Sequence, residues 1–395
     1  MADDCNRMNY TLWYCINETN WTIDCQKNFG WSEDYIPLRF PLYIRTCASI
    51  VCGLILTLGT IGNLMVPLVV FKNKELRNST NIFLINLSIA DLLVLLVCMP
   101  SVLIELHSKP EVWILGEEMC KTVPFVELVV AHGSLLTILA ISFERYYAIC
   151  RPLKAGYTCT KMRALAVIIA VWMIAFSITC PILALTEYTY AHYVDGSLVP
   201  VCLTSAQSMW HKIYFLSTSA AFFWVPLIVL VVIYGVIAKH LMNSRCLIKS
   251  SMEHTQMKAR KQVVLMLSTV VFCFFVCLTP FRVFTVWLTL VSQDKIEALG
   301  METYYNLLYF CRVMLYINSA INPILYNLIS SKFRNAFFHL IFCGTHKRLI
   351  RRTVTVSTST TLRTSSTGGK SQVQTVASNT ICKISPKKTY DKSFV

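Results

Sequence analysis

Between Cys120 and Cys150 the chain reads CKTVPFVELVVAHGSLLTILAISFERYYAIC. This stretch is mostly apolar and far too long for a strand in a soluble core. From Cys120 to Arg145 is 25 residues. Wound as a helix these span roughly 37 Å, enough to cross a ~30 Å hydrocarbon layer with some tilt. Its two ends therefore face different aqueous compartments. One end carries a cysteine, the other the triplet Glu144-Arg145-Tyr146, and a lone carboxylate, Glu127, lies about two turns in from Cys120.

Six further apolar runs accompany it, near residues 43–71, 80–105, 163–185, 210–238, 261–290 and 303–329. Each reaches the ~20 residues a spanning helix needs. A soluble all-helical core would show polar faces at helical spacing, and these runs lack them. At 55% hydrophobic and only 14% charged, the 395-residue chain is too apolar for an ordinary soluble protein. The fold class expected is an all-α membrane protein, a seven-transmembrane helix bundle.

Seven crossings place the termini on opposite sides. The connections holding Lys72, Lys74 and Arg77, then Arg151, Lys154, Lys161 and Arg163, then Lys239, Arg245, Lys249, Lys258, Arg260 and Lys261 are basic. Alternate connections are acidic or mixed, with Glu111, Glu117, Glu118, Glu187, Asp195, Asp294, Glu297 and Glu302. The positive-inside rule makes the basic set cytoplasmic. The net charge of +15 then meets anionic membrane lipid rather than nucleic acid. The N-terminus is expected outside a plasma membrane and the C-terminus in the cytoplasm. Asn9, Asn17 and Asn20 begin glycosylation motifs on that outer side. Asn78-Ser79-Thr80 also fits the motif but falls on the cytoplasmic side and is discounted. Residues 1–40 show no apolar signal-peptide core, so the first helix is expected to act as the targeting signal. Most of the seventeen cysteines lie inside apolar runs. Cys5, Cys15 and Cys25 are an odd set in an oxidising place, and their pairing stays open.

Polar residues inside the spans are few. Asn63 sits in the first, Asn86 and Asp91 in the second. A carboxylate at mid-membrane costs several kcal/mol unless paired, hydrated or protonated, so Asp91 must face the bundle interior. Pro226 and Tyr234 mark the fifth span. In the sixth, FCFFVCLTPFR, Pro280 removes a backbone hydrogen bond and makes a hinge candidate. The seventh carries Asn318-Ser319, Asn322-Pro323 and Tyr326. Next, Phe333, Phe337, Phe338 and Ile341 recur at helical spacing opposite Lys332 and Arg334, predicting a short amphipathic eighth helix on the membrane surface. Cys343 at its end is a palmitoylation candidate. The domain reading is an extracellular glycosylated segment 1–42, a bundle 43–329, a surface helix 330–343 and a disordered cytoplasmic tail 344–395.

The run E-R-Y at 144–146 with Pro152-Leu153, closing the third of seven spans, resembles the rhodopsin-like G-protein-coupled receptors. Trp172 and a late Pro181 in the fourth span fit the same pattern. The resemblance implies a disulfide between Cys120 and Cys202. It further implies that Asp91, Ser134, Asn318, Ser319 and Asn322 converge around an allosteric sodium ion, with no cofactor required. An agonist would shift a population whose sixth helix swings about Pro280. Glu144, Arg145, Tyr146, Leu153, Pro226, Tyr234, Phe274, Pro280, Pro323 and Tyr326 would carry coupling to a heterotrimeric G protein. A phosphorylated tail, with hydroxyls across 353–367, would meet a receptor kinase and arrestin. Ser393-Phe394-Val395 fits addition to a PDZ sheet edge.

Three charged side chains fall at one depth in the half of the bundle that holds Cys120: Glu127, Arg282 and Arg312, with Glu105 nearer the rim. A Glu127–arginine pair alone would be structural. One carboxylate does not neutralise two guanidiniums, and an unpaired buried charge is expensive. A spare cation among Phe281, Tyr305, Tyr309 and Tyr316 points to a ligand bearing carbonyl or carboxylate groups.

RNSTNIFLINLSIADLLVLLVCMPSVLIE, VPFVELVVAHGSLLTILAISFERYYAICRPLKAGYTCTK and FFVCLTPFRVF resemble arthropod ecdysis-triggering hormone receptors. These are grouped with thyrotropin-releasing hormone and neuromedin-U receptors. That resemblance, over about residues 40–345, implies an amidated peptide agonist contacting Arg312 and coupling to a Gq-type G protein with calcium release. Two departures stand out. Leu278 replaces the usual tryptophan of the sixth helix, leaving Phe274, Leu135 and Pro226 to transmit the hinge motion. Arg260 stands where some relatives place an acidic partner for Arg145, so Arg145 is expected to rest on Glu144 alone and agonist-free signalling to be appreciable. A transporter is the reading of another class, since intramembrane carboxylates and broken helices also build transport sites. Seven spans without internal repeats speak against it. No nucleophile or metal spacing in the spans suits an enzyme, and lone His132 reads as packed rather than catalytic.

Overall fold

The structure, a computed structural model, describes residues 39–153, 160–193, 196–204, 208–243 and 251–340. The glycosylation candidates Asn9, Asn17 and Asn20, the cysteines Cys5, Cys15 and Cys25, Cys343 and the tail lie outside these residues.

Among the described residues seven helices are long and apolar enough to span a membrane: α1 Leu42–Lys72, α2 Ser79–His107, α3 Gly116–Cys150, α4 Lys161–Leu185, α5 Met209–Asn243, α6 Ser251–Leu290 and α7 Met301–Ile329. A short α8, Ser331–Phe338, follows a one-residue elbow at Ser330. Side-chain caps mark several starts. Asn78 accepts from the Asn81 amide at α2, Thr160 caps α4 and Ser208 caps α5, each satisfying an N–H that has no helical partner. Ser330 does the same for α8, accepting from the Phe333 amide.

Two helices widen by one π-turn, at Val94–Cys98 in α2 and Ala220–Trp224 in α5. Each ends two residues before a proline, Pro100 and Pro226. A proline ring collides with the carbonyl four residues back and offers it no donor, and a wider turn relieves both problems. Pro280 and Pro323 lie inside α6 and α7, which continue through them. Near Pro323 the packing is close. A Cβ on Gly62 would sit 3.0 Å from the Pro323 ring, and one on Gly59 2.7 Å from Leu95, so glycine there lets α1 approach its neighbours.

The apolar interior forms two large clusters. One joins Leu95, Met99, Val102, Tyr305, Tyr309 and Tyr316 with the inward face of α1. The other joins Leu135, Phe223, Phe274, Leu278, Leu325 and Tyr326 across α3, α5, α6 and α7. Large apolar side chains such as Ile169, Ile228, Val231 and Phe272 point outward, as a hydrocarbon solvent permits.

At one end an antiparallel hairpin, β1 Thr186–His192 and β2 Leu198–Thr204, lies between α4 and α5. Cys202 in β2 is bonded to Cys120 in the first turns of α3. The Trp113 amide donates to the Pro200 carbonyl, tying the α2–α3 connection to the same hairpin. This is called the disulfide end below, and its opposite the Arg145 end.

Candidate functional site

Polar side chains occupy the bundle at three levels. Beneath the hairpin, Arg312 on α7 forms an ion pair with Glu105 on α2, Nη1 to Oε2 at 2.7 Å. The Tyr309 ring stands 5.9 Å from the same guanidinium. Glu105 is therefore Arg312's direct partner, and the expected separation of Glu105 at the rim from the charged trio does not hold. Glu127 on α3 faces the Tyr316 hydroxyl and lies in the field of Arg312, Arg282 and Glu105. Arg282 on α6 is only 8% exposed. Among the described residues no carboxylate oxygen lies within 4.0 Å of it. Of Glu105, Glu127, Arg282 and Arg312, one ion pair is made and Glu127 and Arg282 are left apart, while Glu111 accepts from the Tyr305 hydroxyl at 3.4 Å.

Aromatic rings enclose this level. Tyr305 and Tyr309 are buried, and Phe40, just ahead of α1, sits edge-on to both at centroid distances of 4.8 and 5.6 Å. Phe281 is partly buried on α6. Phe40 escaped the sequence reading because it precedes the first apolar run and belongs to no pattern. The residues at this level present donors, acceptors and aromatic faces, suited to a ligand with amide groups and apolar side chains.

Halfway along, Asp91 is 3% exposed and accepts from Asn322 Nδ2 at 2.9 Å and from Ser319. Asn63, a residue noted in sequence but not placed in the site, donates to the Ser319 and Gly59 carbonyls at 2.8 and 3.0 Å. Three buried oxygens have no protein partner among the described residues: Asn63 Oδ1, Asn318 Oδ1 and the Tyr326 hydroxyl. Ser134 is buried on α3. A buried carboxyl group beside unsatisfied oxygens suits a hydrated site, because an orphaned polar atom costs on the order of 1–3 kcal/mol. Nearby, Asn86 links three helices, donating to Thr137 at 3.0 Å and accepting from the Trp172 indole at 2.8 Å.

At the Arg145 end, Glu144 pairs with Arg145 at 3.2 Å. Arg145 does not rest on Glu144 alone. It also donates to the Thr80 hydroxyl, and Ser79 donates to Glu144, so both charges are tied to α2. The motif discounted for glycosylation, Asn78-Ser79-Thr80, supplies these hydroxyls. A seam of charge and hydroxyl between α2 and α3 was invisible in sequence because either residue type alone is unremarkable at a helix end. Tyr234 accepts from Ser142 at 3.2 Å. Tyr326 is fully buried with its ring 5.9 Å from Phe333 of α8. Leu153 is 91% exposed just beyond α3. Phe274, Leu135 and Leu278 pack in one cluster, and Pro226 is buried on α5.

Two comparisons bear on this arrangement. Residues 62–326 match the family described as 7 transmembrane receptor (rhodopsin family). The growth hormone secretagogue receptor type 1 of Mus musculus is 34% identical over 335 residues, covering 82% of this chain and 90% of that one. The thyrotropin-releasing hormone receptor of Gallus gallus is 32% identical over 355 residues, covering 82% and 85%. That of Bos taurus is 33% identical over 334 residues, covering 78% and 80%. Seven apolar helices, a disulfide pinning the hairpin to α3 and similarity across the whole bundle give one conclusion. This multi-pass membrane protein is a receptor rather than an enzyme and belongs to the rhodopsin family of seven-transmembrane receptors, the class A G-protein-coupled receptors.

Proposed function

We propose that the chain is a receptor for an amidated peptide hormone of the ecdysis-triggering type, bound at the disulfide end and signalling chiefly through Gq-type G proteins and calcium. The observation that carries this is the charge arrangement beneath the hairpin. Glu105 satisfies Arg312, whereas Glu127 and Arg282 stand apart as one acceptor and one donor. The terminal carboxamide of a peptide is neutral and offers both an N–H and a C=O. It meets such a level without adding net charge. A free carboxylate adds an uncompensated anion beside Glu127 and Glu105. Tyr305, Tyr309 and Phe281 supply apolar contact for the adjoining side chains. A thyrotropin-releasing hormone-like or pyrokinin/neuromedin-U-like peptide is the second reading, and the likeness to the avian and bovine receptors named above favours the first of these two.

In this reading the disulfide end is extracellular and the Arg145 end cytoplasmic, in line with the basic connections at that end. Asp91, Ser134, Asn318, Ser319 and Asn322 would hold a sodium ion, since a hard monovalent cation suits an anionic oxygen with neutral oxygens about it. The unpartnered Asn318 carbonyl oxygen fits that role. Bound sodium would supply the positive charge that Asp91 otherwise lacks. Activation opens a cleft at the Arg145 end, where Arg145, Tyr146, Tyr234 and Tyr326 receive the G protein and Leu153 inserts as an apolar knob. Receptor kinase, arrestin and a PDZ protein would act on the tail.

The test is a calcium assay with a panel of amidated peptides and their free-acid counterparts. One amidated peptide should act at least thirtyfold more potently than its acid form, about 2 kcal/mol. Equal potency of amide and acid would remove the carboxamide from the site.

A further inference from the structure

One side chain crosses from α6 to the elbow between α7 and α8. The amide nitrogen of Gln262 donates to the Ile329 carbonyl at 2.6 Å and to the Ser331 hydroxyl at 3.2 Å. Ile329 is the last residue of α7 and Ser331 the first of α8. A carbonyl in the last helical turn has no N–H within its own helix. Gln262 supplies that donor from another helix, and both of its amide hydrogens are used. Neither Gln262 nor Ser331 belongs to any motif read in the sequence.

The placement gives the contact leverage. Gln262 lies eighteen residues from Pro280, roughly 27 Å along a helix. A tilt of only about 4° at Pro280 moves that end of α6 by about 2 Å, which carries both bonds out of hydrogen-bond range. At the same end Arg260 is exposed, and Arg145 is engaged with Glu144 and Thr80.

We propose that Gln262 is a latch residue, which holds α6 against the α7–α8 elbow and sets how often the agonist-free receptor opens at its Arg145 end. It is a positioning residue, acting through the place of α6 rather than by touching the reacting nucleotide. The latch supplies the restraint that Arg260 denies at the usual position, so the unliganded receptor is quieter than the charge at Arg260 implies. The inference rests on the receptor reading above for its signalling consequence, while its structural half stands apart from that reading.

The experiment uses the full-length receptor in lipid nanodiscs with spectroscopic labels introduced as noncanonical residues at Met257 on α6 and Arg334 on α8. The variants are Gln262→Leu and Gln262→Ala, which remove both donors, Ser331→Ala, which removes one acceptor, and Gln262→Lys, which keeps a donor of similar reach. Without agonist, the Leu and Ala variants should lengthen and broaden the label distance, Ser331→Ala should do so less, and the Lys variant should match wild type. At equal surface expression, agonist-free nucleotide exchange on a G protein should rise on the order of tenfold in the first two, as expected for losing two neutral hydrogen bonds. Leu and Ala variants with wild-type distances overturn the latch, whatever their signalling. If distances shift as stated but wild type drives exchange on no heterotrimer, the latch is upheld and the G-protein reading fails.

Discussion

At the scale of single residues, the charges beneath the hairpin have unequal tasks. Arg312 holds Glu105 at 2.7 Å and is three-quarters buried, so its removal strands a carboxylate as well as any ligand contact. Arg312→Glu is expected to raise the agonist concentration for half-maximal response a hundredfold or more, on the order of 3 kcal/mol for a buried charged contact. Exchanging both partners, Glu105→Arg with Arg312→Glu, should restore surface expression without restoring potency. An unchanged dose-response in the single variant would take Arg312 out of the ligand site. Asn86 shows the same logic without charge. Asn86→Leu leaves the Trp172 indole and the Thr137 hydroxyl each short of a partner. It should lower stability in detergent by about 2 kcal/mol, read as a falling thermal midpoint with agonist binding retained above it. Asn63, Asn86 and Asp91 were legible as interior polar residues from hydropathy alone. Ser319 and Asn322 were named as company for Asp91 through the family resemblance, whereas the Thr137 and Trp172 partners of Asn86 were not, because they come from helices whose rotation no local pattern reports.

At the scale of elements, the prolines divide into two kinds. Pro100 and Pro226 are preceded by π-turns that absorb the missing hydrogen bond, whereas Pro280 and Pro323 lie in helices without such a turn among the described residues. The second kind leaves a carbonyl without its helical donor, and that weak point is where bending is cheapest. Pro280→Ala restores the bond and should stiffen α6. The maximal agonist-stimulated exchange should fall severalfold while peptide affinity changes little. A variant with full maximal response would place the hinge elsewhere. The amphipathic α8 was readable from its phenylalanines, and Phe333 does turn inward to meet Tyr326. The hairpin was not readable, since its strands carry only a modest alternation and the contacts that hold β2, the Cys120–Cys202 bond and the Trp113 amide on Pro200, come from residues distant in sequence.

At the scale of the whole molecule, the Cys120–Cys202 bond closes a loop of 82 residues in sequence separation that contains most of α3 and all of α4. Replacing both cysteines by serine should cost roughly 2–4 kcal/mol, seen as a lower thermal midpoint that a reducing agent no longer changes. In the intact receptor the same reductant should reproduce the loss. Equal midpoints in all four conditions would mean that the hairpin is held by packing alone. The bundle is tied twice at the Arg145 end, by α2 to α3 through Ser79, Thr80, Glu144 and Arg145, and by α6 to the α7–α8 elbow through Gln262. Agonist acting at the disulfide end has to work against the second of these ties, which makes the latch the natural place to tune the balance between the closed and open populations.

The amino-acid sequence by itself determined the seven spans, the interior facing of Asp91 and Asn322, the prolines and the eighth helix. The physical reason is that a hydrocarbon solvent enforces length, apolarity and internal hydrogen bonding on every segment, so each leaves a local signature. Only the tertiary structure decided that Glu105 rather than Glu127 takes Arg312, that Thr80 joins Arg145, and that Gln262 reaches Ile329. Those choices turn on the relative depth and rotation of packed helices, which shift a side chain's partner by several ångströms while leaving its own sequence neighbourhood unchanged.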